Sequence, residues 1–140
     1  MAIDEQFQAI QVSVNGPGDV TAMFIANGLL LAPFDLQSPT GGEGMETVTF
    51  SVMLPQPVLA AGQFRRAIAS ASIAGLASYA AAGDTAFAGH SFDVTTRSVD
   101  ADYDDESGQI ELRIEIFFSA HQGEVRVSKL AFQVITLVAN

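Results

Sequence analysis

Carboxylates provide the most regular chemical spacing in this chain. Asp100, Asp102, Asp104 and Glu111 take the first, third, fifth and twelfth places of the run Asp100–Glu111. Those are offsets at which the oxygens of an EF-hand loop wrap one calcium ion. Two features oppose that reading. Asp105 takes the sixth place, where the sharp turn of such a loop needs glycine, and both flanks alternate as strands where an EF-hand needs helices. The competing expectation is a solvated acidic turn, with Glu111 on the solvent face of the following strand and no cofactor bound.

Other chemistry is thinner. Gly89-His90-Ser91-Phe92-Asp93 comes within one residue of the Gly-x-Ser-x-Gly nucleophile elbow, with Asp93 in place of the final glycine. That glycine permits a tight strand-to-helix turn; a strand follows here, and 140 residues is short for the hydrolase fold that uses the motif. His90 and His121 show no paired ligand spacing, so they read as ordinary polar residues, and no catalytic residue is assigned. Gly16-Pro17-Gly18 and Gly41-Gly42-Glu43-Gly44 lack the lysine of a phosphate loop and read as turns.

Composition narrows the classes further. Six basic against sixteen acidic residues give a net charge of −10, which repels phosphate backbones and anionic lipid, so nucleic acid is not an expected partner. The chain has no cysteine, which removes disulfides and thiolate metal sites and leaves the compartment open. The acidic start Met1–Gln6 is unlike a signal peptide, and the long uncharged run 67–83 is too short and too weakly apolar to span a bilayer, so a soluble protein is expected. Charged residues make up only 16 %, against roughly 25 % in typical domains. With a mean hydropathy of +0.30, much of the surface is expected to face protein.

The elements that must position these residues follow from periodicity. Gln109–Asn140 reads as a long β-hairpin: Ile110, Leu112, Ile114, Ile116 and Phe118 alternate with Glu111, Arg113 and Glu115, and the return strand shifts phase near Ser128-Lys129 as at a bulge. Residues 7–14 and 20–26 form a first hairpin about Asn15–Asp19, 29–36 an edge strand or connector, 38–44 a loop, and 47–54 another half-buried strand. Pro57 suits the first turn of a helix running over about 57–82, with Phe64, Ile68, Leu76 and Tyr79 on one side and Ala67, Ser70, Ala74, Ala77, Ser78 and Ala81 on the other. Residues 84–99 return to strand chemistry. The expectation is a single α+β domain over 1–140: an antiparallel β-sheet, or a β-sandwich or barrel, with one long central helix.

The function expected from this is a structural, non-enzymatic subunit of a homo-oligomeric assembly, partnered by copies of itself and other subunits. Low charge, the small-residue helix face and long apolar strands support it. The order hairpin, loop, strand, helix, meander resembles phage tail-tube and related injection-tube subunits, which implies a ring or tube and a virion-like setting. Two alternatives stand beside it. One is a small hot-dog-type acyl-handling enzyme, whose sheet wraps a long helix; the other is a calcium- or ligand-binding module using the 100–111 loop.

Overall fold

The computed structural model describes residues 2–3, 6–37, 43–80 and 90–140. Eight strands run through them: β1 (Ala2–Ile3), β2 (Gln8–Ser13), β3 (Val20–Gln37), β4 (Glu43–Met53), β5 (Phe64–Ala80), β6 (Ser91–Tyr103), β7 (Ile110–His121) and β8 (Gly123–Ala139). No helix occurs among the described residues. The antiparallel expectation holds. The central helix does not.

Alternation sets the architecture. In β7 the residues Ile110, Leu112, Ile114, Ile116 and Phe118 are all buried, and the polar residues between them are not. In β8 the buried residues include Val125, Val127, Leu130, Phe132, Val134, Thr136 and Val138. Each strand therefore offers one apolar face to a common core, and each sits in the middle of its own sheet. One sheet has the order β4-β7-β6, the other β3-β8-β5 with β1 and β2 on the far side of β3, and every pairing is antiparallel. The two sheets form a sandwich around one cluster of buried side chains.

The expected hairpin over Gln109–Asn140 is corrected to an arch. β7 and β8 follow each other through Gln122, which has a positive φ of 51°, yet they hydrogen-bond to different neighbours in opposite sheets. Two strands that both carry a full apolar face bury more area by facing each other across the core than by lying side by side. The chain likewise leaves one sheet for the other between β3 and β4 and between β5 and β6, all at the same end. There Gln37 and Ala80 flank the start of β8, while Glu43 and Ser91 flank the end of β7.

The segment expected to be a helix over 57–82 is β5 with the loop before it. Pro57 follows a cis peptide bond and is buried in that loop rather than starting a helix. Along β5 the inward set is Phe64, Ala67, Ala69, Ala71 and Ile73, which pack on the core, and the outward set includes Ile68, Ser70 and Ser72. Alanine's helical preference amounts to tenths of a kcal/mol per residue over the alternatives. β8 needs a second neighbour along 17 residues, and the ladder that β5 supplies outweighs a local preference of that size.

The bulge expected near Ser128-Lys129 is present. Val127 and Leu130 are both buried with two exposed residues between them. Pairing slips at this point on both sides of β8, between Leu31 and Phe34 of β3 and around Gly75 of β5. Residues 29–36, expected as an edge strand or connector, belong to β3, which is covered by β8 throughout. The loop expected at 38–44 and the start of the strand expected at 84–99 fall partly outside the described residues.

Candidate functional site

The four carboxylates of the calcium pattern are divided between two strands and a turn. Asp100 and Asp102 lie on β6, Asp104 in the β6–β7 turn and Glu111 on β7, where it stands directly across from Asp102. Asp104 is committed to the turn itself. Its carboxylate accepts from the Ser107 backbone N–H at 3.0 Å and from the Ser107 hydroxyl, while its backbone bonds to Gly108 and Gln109 at 2.8 and 2.9 Å. The Ser107 hydroxyl holds the Asp104 carboxyl below its ordinary pKa. Glu111 accepts from Arg113 and from the Ser51 hydroxyl, the latter at 2.9 Å, and those two bonds lower its pKa in that order. Arg113 faces Asp100 across the strands, and Glu111 first, then Asp100 and Asp102, raises its pKa. A guanidinium thus occupies the electrostatic centre that the sequence pattern offered to a cation. Among the described residues no three histidine or carboxylate side chains converge in a way that could hold a metal ion.

The serine-elbow residues separate. Ser91 opens β6 opposite His121, whereas His90 reaches across to Ser78 near the end of β5, with Oγ to Nε2 at 2.7 Å. His90 Nδ1 lies 3.2 Å from the His121 carbonyl oxygen. A carbonyl can only accept, so the proton sits on Nδ1 and Nε2 accepts from the Ser78 hydroxyl. This is the hydrogen-bond order of a nucleophile and its base. Its position serves packing: the ring lies against Gly123, where a β-carbon would overlap both the ring and the Tyr79 carbonyl oxygen. The pair clasps the ends of β5, β6 and β7 together.

The feature that sequence reasoning missed is the outer face of the β2-β3-β8-β5 sheet. Register places Ile10 beside Ile25, Ile25 beside Ile135, and Ile135 beside Ile68, one isoleucine from each of four consecutive strands. The next row is Val12, Met23, Leu137 and Arg66. Alternating with inward Phe24, Val134 and Ala67, these side chains stand outside the core cluster. Ile10 is 54 % exposed and Ile68 49 %. On the other side of the isoleucines runs a polar row of Gln8, Asn27, Gln133 and Ser70, tied by a 3.0 Å bond from Gln133 Nε2 to Asn27 Oδ1.

The opposite outer face shows what solvent selects in this chain. Across β4-β7-β6 the rows read Thr47, Phe117 and Thr95, then Thr49, Glu115 and Ser98, then Ser51, Arg113 and Asp100, then Met53, Glu111 and Asp102. Its one large ring, Phe117, is roofed by the Arg97 guanidinium at 4.7 Å. The signal that could have found the apolar face lies in β8, whose run Leu130–Ala139 is apolar at nearly every position, as in strands buried on both sides. No helix among the described residues is long and apolar enough to cross a membrane. Comparison with protein-family models, curated proteins and solved structures finds no match for this chain.

Proposed function

We propose that the chain is a structural, non-enzymatic subunit of a homo-oligomer that covers the outer face of the β2-β3-β8-β5 sheet with a further copy. The isoleucine row across four strands carries this reading. Four strands at about 4.8 Å spacing and the two apolar rows along them make a patch of about 260 Å². That is within the few hundred Å² a monomer exposes, and it supplies the apolar centre of a contact rather than the whole of the roughly 800 Å² per partner of a standard interface. A net charge of −10 keeps copies apart elsewhere, so contact is confined to the rows about the isoleucines, which hold no carboxylate.

The two likenesses that needed a helix contribute nothing to this reading. The order resembling a tail-tube subunit and the sheet wrapped on a helix of a hot-dog enzyme both relied on a segment that is strand β5.

Sedimentation at low micromolar concentration tests the reading. The wild-type chain is expected to sediment as an oligomer, and Ile10→Glu, which places a charge on a half-exposed position, to keep the monomer folded while shrinking the assembly. A wild-type monomer, or an Ile10→Glu variant of unchanged size, would sink the proposal.

A further inference from the structure

We infer that β5 pairs edge to edge with β5 of a second copy, in antiparallel register over Ala67–Ile73, and so joins two five-stranded sheets into one. This rests on the homo-oligomer reading and identifies a second contact within it. β5 ends its sheet, with β8 as its one hydrogen-bonded neighbour among the described strands. Alternate backbone N–H and C=O groups along it therefore point away from the sheet.

Such an edge accepts another strand unless something blocks it, and the usual blocks are charge, proline, shortness or a bulge. β5 is 17 residues long and holds neither charge nor proline after Arg66. Its pairing is regular from Ala67 to Ile73, between a register shift at Phe64–Arg66 and another at Ile73–Gly75.

The other edges are poorer choices for self-pairing. β6 carries Asp93, Asp100 and Asp102, so two copies would set aspartate against aspartate. β4 begins with Glu43 and Glu46, and β2 has only six residues. The charges on β5 are Arg65 and Arg66 at its start, and Arg65 is bound to Asp19 at 2.7 Å. The stretch Ala67–Ile73 is neutral, so pairing it with itself sets no like charges against each other. An antiparallel pair about a two-fold axis near Ser70 sets Ala67 opposite the second copy's Ile73 and keeps Ile68 of each copy on the same outer surface. The apolar face is thereby doubled in width, which gives the face contact a larger partner surface.

Amide hydrogen exchange on the assembled wild-type protein, read on fragments of β5 and β6 from the same sample, tests the pairing. Face-to-face packing leaves outward-pointing edge amides free to exchange, whereas strand pairing hydrogen-bonds them. Essentially every amide of Ala67–Ile73 is expected to exchange at least about tenfold more slowly than in the unfolded chain. In β6 the outward-pointing amides should exchange fast. If half of the β5 amides exchange fast while sedimentation still shows an oligomer, the edge pairing is wrong and the face contact stands. If sedimentation shows a monomer, both fall.

Discussion

Gly28 and Phe132 stand directly across from each other on β3 and β8, and the ring fills the space a side chain at 28 would need. A β-carbon there would lie 2.9 Å from two ring atoms and 3.3 Å from the Phe7 ring. Phe7 and Phe132 stack at 6.3 Å between centroids, so the ring has a neighbour behind it and little room to retreat.

Gly28→Ala should therefore overpack this corner of the core and cost about 1–3 kcal/mol. Denaturant unfolding would show it as a lower midpoint with an unchanged slope. Stability equal to the wild type would mean that the ring moves freely.

Acid should weaken the fold through groups that the native state holds ionised. Asp104, Glu111 and Asp19 all have lowered pKa values, chiefly from Ser107, Arg113 and Arg65 respectively. A depressed carboxylate pKa contributes stability that is present above its unfolded value and lost as pH falls through the folded one. Melting temperature should thus hold at neutral pH and decline below about pH 4. Asp104→Asn should flatten that decline, and an unaltered acid limb in this variant would remove Asp104 as a contributor.

Ser78→Ala leaves Nε2 of His90 without its donor in a half-buried setting. A loss of about 1 kcal/mol is expected, measured by thermal or denaturant unfolding. His90→Ala should cost at least as much, since it also frees the His121 carbonyl and removes the ring packed on Gly123.

Arg113 supplies the positive charge among Asp100, Asp102 and Glu111. Millimolar calcium should leave the wild-type melting temperature where magnesium leaves it. Arg113→Ala should lower the melting temperature and gain a rise with calcium that the wild type lacks. A calcium-specific rise in the wild type would return the loop to the metal reading.

The strands with one wet face were legible in the sequence because period-two alternation is a local property. Ile110–Phe118 could be placed as a half-buried strand, and the phase break at Ser128-Lys129 as a bulge, without knowing any partner. The turn at Ser107-Gly108 was legible between strand flanks for the same reason, but β6 runs on through Asp100 and Asp102 to Tyr103, and Arg113's place among these carboxylates depends on cross-strand register.

What the tertiary structure alone decided was every choice between comparable local options. Ala67–Ser72 satisfies a helical period and a two-residue period at once, and the need of β8 for a second neighbour selected the strand. The link from β7 to β8 could close as a hairpin or as an arch, and two full apolar faces selected the arch. Ile10, Ile25, Ile68 and Ile135 are scattered along the chain and carry no shared signal. They became one surface only when pairing register aligned four strands, because neighbours across a sheet are set by long-range hydrogen bonds and not by position in the sequence.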